Sequence, residues 1–107
     1  MIIYNVTVKI DTKIERDWLE WMQNIHIPKV MESGCFTGYD IMRLRYPKDD
    51  EGRTFAFQYY CTDMEQLEKY HRDYAVELQR AHAEKYGSQV AAFRTILERL
   101  DKKEVTG

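Results

Sequence analysis

Residues 2–10 read Ile-Ile-Tyr-Asn-Val-Thr-Val-Lys-Ile, and this stretch decides the fold. Every second side chain in it is apolar, at Ile2, Tyr4, Val6, Val8 and Ile10. A period of two with β-branched residues predicts a strand that buries one face. Residues 53–61 repeat the pattern, with Phe55, Phe57, Tyr59 and Cys61 on one side. We therefore expect a sheet with one face covered by other elements.

Helical spacing follows the first strand. Apolar side chains recur at Ile14, Trp18 and Ile25 with polar residues between them, which predicts an amphipathic helix. Proline disfavours a helical conformation in the residue before it, so Pro28 predicts that this helix ends near His26. A second, short helix is expected to begin at Pro28.

A long helix is predicted after residues 53–61. Thr62 and Glu65 have the spacing of a capping box, with Thr62 as the cap. Gly87 suits the C-terminal end of a helix, so this one should end near Tyr86. Its expected apolar stripe consists of Met64, Leu67, Tyr74, Ala75, Leu78 and Ala81, with His71 and His82 in the same arc.

Two further strands complete the expected sheet. Residues 36–46 precede a charged turn and the strand at 53–61, which predicts an antiparallel hairpin, and residues 89–100 form the last strand. The order β-α-β-β-α-β is that of the ferredoxin-like α+β sandwich, in which two helices cover one face of a four-stranded antiparallel sheet. We expect a single domain over residues 1–100 and a polar C-terminal tail over residues 101–107.

Charge and composition argue against several classes of protein. The 107 residues include 16 Lys and Arg against 18 Asp and Glu, a formal charge of −2, whereas a nucleic-acid binder needs a basic face. No apolar run approaches the roughly 20 residues that span a bilayer, and the first residues lack the pattern of a signal peptide. Cys35 and Cys61 are expected to be free thiols. We therefore expect a cytoplasmic protein that binds neither nucleic acid nor a membrane.

The second face of the sheet is expected to carry no helix. On this open face the central strands place Ile3, Asn5, Thr7, Ala56, Gln58 and Tyr60. We expect the outer strands to add Arg94, Ile96 and Arg43, with Tyr39 nearby. Bare apolar patches mark interfaces or ligand sites, and symmetric dimers are the commonest oligomers. The pattern predicts a homodimer that forms through the open face.

Four segments carry a resemblance to known proteins. They are Met1-Ile2-Ile3-Tyr4-Asn5-Val6-Thr7-Val8, Trp18-x-x-Trp21-Met22, His26-Ile27-Pro28-x-Val30 and Ala92-Phe93-Arg94-Thr95. Over nearly the whole chain, their combination resembles a bacterial domain-of-unknown-function family within the dimeric α/β-barrel superfamily. The resemblance implies the ferredoxin-like fold and the homodimer, and it implies no particular activity.

His26 is the candidate catalytic residue. The superfamily that the chain resembles includes cofactor-independent monooxygenases, isomerases, haem-degrading enzymes and haem-dependent peroxidases. Some members place a histidine near the end of the first helix, at the mouth of a cavity, and His26 would match that position. A histidine titrates near neutral pH, so His26 could transfer a proton. The alternative is a structural role, in which His26 bonds a free carbonyl at a helix end.

The candidate ligand-binding residues lie on the strands. Arg43 and Arg94 could bind a carboxylate of a ligand, or they could pair with Asp40 or Glu98 on neighbouring strands. Polar groups that could orient a ligand, or bridge a dimer through water, are Asn5, Thr7, Gln58 and Tyr60.

No metal site and no cofactor are expected. His71 and His82 are eleven residues apart, or roughly 16 Å along a helix, which is too far for two ligands of one metal ion. The sequence has no HExxH motif. We expect both histidines to lie at the core boundary with hydrogen-bonded ring nitrogens.

Two functional hypotheses remain open. In the first, a small homodimeric domain binds a small molecule in a cavity at the sheet face, with or without cofactor-independent enzyme activity. In the second, the chain is a non-catalytic dimerisation or interaction module with no ligand. A polar cavity favours the first hypothesis, and a packed, dry interface favours the second.

Overall fold

The computed structural model describes residues 1–104 and contains one four-stranded antiparallel sheet packed against helices. The strands are β1 (Ile2–Ile10), β2 (Gly38–Arg43), β3 (Arg53–Cys61) and β4 (Val90–Glu98). Their order across the sheet is β2-β3-β1-β4, which confirms the predicted α+β ferredoxin-like fold. Of the predicted tail, residues 101–104 have no regular structure and residues 105–107 lie outside the described residues.

The first helical segment continues from residue 15 to residue 32. It consists of α1 (Glu15–Trp21), a π turn (Met22–His26) and α2 (Ile27–Glu32). The prediction that the helix ends near His26 is wrong, because Ile27 has helical dihedral angles (φ −59°, ψ −45°). The Ile27 N–H bonds to the Met22 carbonyl five residues back. This wider turn accommodates the Pro28 ring, which would clash inside a regular α-helix.

The second helical segment runs from residue 64 to residue 86. It consists of α3 (Met64–Tyr70), a π turn (His71–Ala75) and α4 (Val76–Tyr86). Its cap is Asp63 and not Thr62, because the Asp63 carboxylate accepts the Gln66 N–H at 3.0 Å. Gly87 ends the helix with φ 54°, as the sequence predicts.

The π turn in the second helix shifts the face that it buries. The predicted stripe is confirmed at Leu67 and Ala75, and His82 of the same arc is buried as well. Met64, before the π turn, is 41% exposed, and beyond the turn Ala81 is exposed while Tyr86 is buried. A π turn contains one residue more than an α turn. A stripe counted at 3.6 residues per turn therefore falls one position short after residue 75.

The two central strands supply most of the sheet side of the core. β1 lies between β3 and β4, and Val6 pairs with Phe57 in the middle of the sheet. The helix-side face buries the side chains of Ile2, Tyr4, Val8, Ile10, Phe55, Phe57, Tyr59 and Cys61. Trp18 from α1 and Leu67 from α3 cover this face and are 0% and 1% exposed. The core predicted from the alternation in β1 and β3 is thus confirmed.

In the outer strand β4, the residues predicted for the open face lie on the helix side. Arg94 pairs with Val6 and Ile96 pairs with Tyr4, so both lie on the helix side and not on the open face. Phe93 faces the other way and is 66% exposed. β4 is an edge strand in which residues on both faces are exposed, among them Phe93 and Ile96, so the alternation of apolar residues does not identify the helix-side face there.

The other edge strand, β2, requires the same correction. Arg43 pairs with Phe55 and Tyr39 pairs with Tyr59, which places both on the helix side. The open face of β2 instead carries Asp40 and Met42. β2 is also shorter than the predicted 36–46, because pairing with β3 extends only over six residues.

Candidate functional site

A cavity lies between the helix-side face of the sheet and the helices, and we call it the helix-side cavity. It is lined by Tyr4, Val6, Val8, Met22, His26, Val30, Phe57, Tyr59, Tyr70, Leu78, Gln79, His82, Ala92 and Arg94. Its volume is about 30 Å³, enough for one or two water molecules. The wall combines aliphatic and aromatic surface with a few polar groups, as small-molecule sites do.

Two histidines from different helices meet at this cavity. His26 is the last residue of the first π turn, and His82 lies on α4. Their ring centroids are 5.9 Å apart. Trp21 packs against both rings, at 5.5 Å from His26 and 6.0 Å from His82. His26 thus lies at a π turn, a distortion that is frequent at functional sites.

A buried hydrogen bond fixes the protonation of His82. The Trp18 Nε1–H group donates to His82 Nε2 at 2.9 Å. An indole N–H can only donate, so His82 Nε2 must be an unprotonated acceptor. In the neutral ring the proton is therefore on Nδ1. The prediction that His82 lies at the core boundary with a bonded ring nitrogen is confirmed for this nitrogen.

Burial keeps both histidines neutral at physiological pH. The pKa of His26 is lowered to about 4, first by burial and then by the repulsion that its protonated form would meet from protonated His82 and from Arg94 and Lys29. Burial, and then the Arg94 charge, also lower the pKa of His82. A neutral imidazole carries one N–H and one free lone pair. Each ring can thus accept or donate a hydrogen bond without carrying a charge.

Arg94 is the cation of the site. It reaches the cavity from edge strand β4, and it forms no ion pair with any carboxylate among residues 1–104. All acidic residues are missing from the cavity lining described above. Burial raises the pKa of the Tyr4 hydroxyl, while the nearby Arg94 charge partly offsets that effect. The cavity therefore offers a positive charge without a counter-charge in the described part of the chain.

Tyrosine hydroxyls complete the polar lining. Burial raises the pKa of Tyr59 and of Tyr70, with further contributions from neighbouring tyrosines. Both rings pack in one aromatic cluster with Tyr4 and Phe36, at centroid distances of 4.8 to 6.3 Å. These hydroxyls stay protonated at physiological pH, so they can donate to an anionic ligand.

Arg43 lies elsewhere and has partners of its own. Its guanidinium pairs with Glu15 of α1 at 2.8 Å and lies 5.4 Å from the Phe55 ring centroid. Glu15 also bonds Arg53 at 3.3 Å. The sequence offered Asp40 as a cross-strand partner, but Asp40 is on the opposite face of β2. The structure therefore does not bring Arg43 together with His26 and Arg94.

The other predicted ligand-binding residues lie on the open face. Asn5 donates through Nδ2 to Thr7 Oγ1 at 3.1 Å and to Thr95 Oγ1 at 3.2 Å, and the Tyr60 hydroxyl donates to Asp40. Gln58 pairs with Asn5 across the sheet. The sheet separates this group from the helix-side cavity, so the predicted site residues fall into two sets on opposite faces.

The sequence identified His26 and Arg94 as candidates, with Arg94 expected on the open face, and it did not identify their neighbours. Gln79 and Tyr4 carry no motif, and His82 is 56 positions from His26. The usable signal was the pair of histidines in amphipathic helices that pack on the same sheet face. Only the π turns and the register of β4 bring these residues together.

Two further observations limit the chemistry. Within residues 1–104, no group of three or more His, Cys, Asp or Glu side chains is placed to hold a metal ion. Across the same residues, no helix is both long and apolar enough to cross a membrane. Cys35 and Cys61 are buried free thiols, as expected.

Comparison with solved structures supports the fold. HapK from Hahella chejuensis is 12% identical with a TM-score of 0.68, over 100% of both chains. An ethyl tert-butyl ether d (EthD) family protein from Bacillus halodurans is 12% identical with a TM-score of 0.66, over 94% of this chain and 100% of that one. A protein from an uncultured marine organism, described as dimeric and ferredoxin-like, is 8% identical with a TM-score of 0.67, over 98% and 100%.

Sequence comparison identifies the family. A search of curated proteins finds no match. At identities of 8–12%, the structural similarities establish the fold alone. A family model, in contrast, matches residues 1–100. The chain therefore belongs to the family described as Domain of unknown function (DUF4286).

Proposed function

We propose that this protein is a cytoplasmic homodimer that binds a small anionic molecule in the helix-side cavity. The observation that carries the proposal is Arg94, a cation at a cavity that contains no carboxylate. Arg94 is exposed to solvent and has no ion-pair partner among residues 1–104. A carboxylate or another oxyanion on a ligand would supply that partner through charge-assisted hydrogen bonds.

The neutral histidines limit the charge of the proposed ligand. Their lowered pKa values mean that they add no charge to the site at pH 7. Arg94 is then the one formal cation in the lining, which favours a ligand with a single negative group. The surrounding tyrosine hydroxyls and Gln79 can donate or accept further hydrogen bonds.

The size of the cavity limits the ligand. The cavity volume is about 30 Å³, whereas drug-sized ligands occupy pockets of roughly 300–1,000 Å³. The proposed ligand is therefore one of the smallest organic acids, formate or acetate, whose carboxylate contacts Arg94 at the mouth of the cavity.

Binding of formate and acetate, the two smallest carboxylic acids, tests this proposal. Isothermal titration of the full chain should show binding that weakens about tenfold or more in Arg94→Gln, because one charge-assisted hydrogen-bonding group is lost. Arg45→Gln serves as the matched control, since Arg45 is exposed in the β2–β3 connection, away from the cavity. Equal affinity in wild type and Arg94→Gln, or no binding of either acid, would refute the proposal.

The homodimer is proposed through the open face of the sheet. Phe93 and Leu97 of β4 and Met42 of β2 are 66%, 44% and 43% exposed there. Large apolar groups in one exposed face mark an association surface. In the same face, Asn5 Oδ1 is buried and has no hydrogen-bond partner among residues 1–104. The structural neighbour described as a dimeric ferredoxin-like protein has the same fold.

Light scattering tests the dimer. At high micromolar concentration we expect twice the chain mass of 12.9 kDa. Phe93→Glu should give a monomer, because it places a charge in the apolar contact, while Val76→Glu on the exposed side of α4 should remain dimeric. A wild-type monomer under these conditions would contradict the proposed interface.

A non-catalytic dimerisation module is the second candidate function. The small volume of the helix-side cavity favours it, because a cavity that holds only one or two waters can be a packing feature. A wild-type dimer that binds neither acid would support this candidate over the first.

A further inference from the structure

We propose that the two chains of the homodimer also pair edge to edge along β4, so that Arg94 of each chain lies opposite Glu98 of the partner subunit. This inference rests on the proposed homodimer and adds a contact that the open face does not provide. It also gives Arg94 a carboxylate from the second copy of the chain, since residues 1–104 of its own chain supply none.

β4 leaves a regular row of backbone groups unpaired at the edge of the sheet. It pairs with β1 in one unbroken register, and no strand within residues 1–104 lies on its other side. Beyond the two ends of this pair, the Arg99 N–H bonds the Met1 carbonyl and the Asp11 N–H bonds the Gln89 carbonyl. Opposite residues of antiparallel strands alternate between bonded and non-bonded pairs, so the odd-numbered residues of β4 bond β1. The backbone N–H and C=O groups that point outward are therefore those of Val90, Ala92, Arg94, Ile96 and Glu98.

β4 lacks the features that protect such edges in other proteins. Its nine residues include no Pro, Gly or Lys, and its register with β1 contains no bulge. From Phe93 to Glu98 every side chain is exposed, on both faces of the sheet. Phe93, Ile96 and Leu97 are large apolar side chains in this stretch. A long edge strand with exposed apolar side chains favours pairing with another chain.

The other edge strand of the sheet is less suited to such pairing. β2 has six residues, among them one Gly and one Asp, which are depleted in strands. The Leu44 N–H bonds the Thr54 carbonyl, and the register of β2 with β3 then fixes which residues face outward. These are only Tyr39, Ile41 and Arg43. The longer row on β4 therefore offers more hydrogen bonds to an added strand.

The charges of β4 favour a second copy of the same strand and select one register. Arg94 and Glu98 are the two charged residues of β4, both are exposed, and neither forms an ion pair among residues 1–104. Two antiparallel copies of one strand are related by a two-fold axis. With the axis at Ile96, each Arg94 lies directly opposite the partner's Glu98, whereas an axis at Arg94 would place two guanidinium groups opposite each other. Opposite charges stabilise a cross-strand pair and like charges destabilise it, so we assign the axis to Ile96.

The same register covers apolar side chains that are exposed in the single chain. Ile96 is 51% exposed and packs beside Ile96 of the partner subunit at the axis. Leu100, two residues beyond β4, is 89% exposed and comes opposite Ala92 of the partner subunit. The axis is perpendicular to the sheet, so the open faces of both chains lie on one side of the joined sheet. Sheet twist and coiling turn these faces toward each other, so the edge contact and the face contact belong to one dimer.

The second chain thereby contributes a residue to the candidate ligand site. Arg94 lines the helix-side cavity, so the partner's Glu98 lies beside the mouth of that cavity. A guanidinium group carries five N–H donors. Arg94 can therefore bind the partner's Glu98 and the carboxylate of formate or acetate at the same time.

Charge reversal tests the contact between Arg94 and the partner's Glu98 in the full-length chain. Glu98→Arg should raise the dissociation constant of the dimer, measured by sedimentation velocity, about tenfold or more, and Arg94→Glu should do the same. The double variant Arg94→Glu/Glu98→Arg restores both pairs with reversed polarity, so its dissociation constant should return close to that of the wild type. Within one chain the two residues are roughly 13 Å apart along β4, so a contact inside one chain does not explain this rescue.

Glu84→Arg is the matched control for the change in net charge. Glu84 is exposed on α4 and forms no ion pair among residues 1–104, so its dissociation constant should stay at the wild-type value. Equal weakening by Glu84→Arg and Glu98→Arg would overturn the proposed contact. A double variant at Arg94 and Glu98 that dimerises no better than the single variants would also overturn it.

Amide hydrogen exchange tests the edge pairing in the wild type, which needs no variant at the contact. The Arg94 and Ile96 amides should exchange at least about tenfold more slowly in the dimer than in the monomeric Phe93→Glu variant, because they bond the partner. The Thr95 and Leu97 amides bond β1 in both proteins and serve as the internal reference. Equally fast exchange of the Arg94 and Ile96 amides in a wild-type dimer would overturn the edge pairing and leave the open-face homodimer standing. A monomeric wild type would overturn both.

Discussion

The two faces of the sheet come from the same four strands, yet they differ in what covers them. On the helix side, Phe55 and Phe57 are 2% and 1% exposed, and Arg94 lies near two histidines. On the open face, Phe93 is 66% exposed. Covered apolar residues and exposed polar residues need no explanation, whereas a cation at a cavity and a bare aromatic ring do. The cation at the cavity marks a candidate ligand site on the helix side, and the exposed apolar side chains mark a candidate dimer interface on the open face.

The largest expected effect comes from removing core volume on the helix side. Phe57→Ala should lower the free energy of unfolding by about 3–5 kcal/mol, because the ring is buried and a cavity would remain. Gln58→Ala, the neighbouring residue on the open face, is the control and should change it by less than about 1 kcal/mol. Urea denaturation of dilute protein measures both, and similar losses would mean that the two faces are equally packed.

Acid should destabilise the helix side selectively. The pKa of His26 is about 4 in the folded protein and near 6.5 in an unfolded chain. Between these values the unfolded chain binds more protons, so stability falls as pH decreases from about 6.5 to 4 and the loss then levels off. The loss attributable to His26 is on the order of 3 kcal/mol, and the lowered pKa of His82 adds to it in the same direction.

Denaturation curves at pH 7 and pH 4.5 measure this effect. His26→Asn cannot titrate, so its stability should depend less on pH over this interval than that of the wild type. An identical pH dependence in the two proteins would show that His26 is not buried in its neutral form.

Sequence alone predicted the central strands well and the edges poorly, and the reason is physical. β1 and β3 have neighbours on both sides and one covered face, so period-two alternation has one interpretation there. β4 is an edge strand, and Phe93, Ile96 and Leu97 are all substantially exposed. Burial therefore does not constrain which of them faces the helices, and the phase follows only from pairing with β1.

The candidate site was partly predictable for a similar reason. His26 could be found because it lies at a break in the helical pattern before Pro28. Its partner His82 was predicted in the buried arc of the second helix but not assigned to the site, because the sequence does not show which residues of the first helix this arc meets. Arg94 was identified as a possible anion binder, and its face depended on the register of an edge strand.

The smallest expected effect compares two adjacent alanines on opposite faces. Ala92 lines the helix-side cavity, whereas Ala91 is exposed on the open face. Ala92→Asp should cost about 1–3 kcal/mol, because it places a carboxylate in partly buried surroundings, although the nearby Arg94 reduces the cost. Ala91→Asp should stay within about 0.5 kcal/mol in dilute protein. Thermal and urea unfolding of the two variants should show which alanine faces the helices. A larger loss of stability in Ala91→Asp than in Ala92→Asp would mean that the register of β4 is shifted by one residue.

The π turn at His71–Ala75 affects how this chain should be aligned with its relatives. A relative whose second helix is regular has one residue fewer at this point, so its alignment needs a single gap between positions 71 and 75. Without that gap, every position in α4 is compared with a residue that faces about 100° away. His82 and Tyr86 would then be matched with surface residues, and a shared cavity would be read as a difference in sequence. For the same reason, deletion of one residue from this turn would rotate α4 and change the face that it buries. The remaining sequence would still keep its propensity to form a helix.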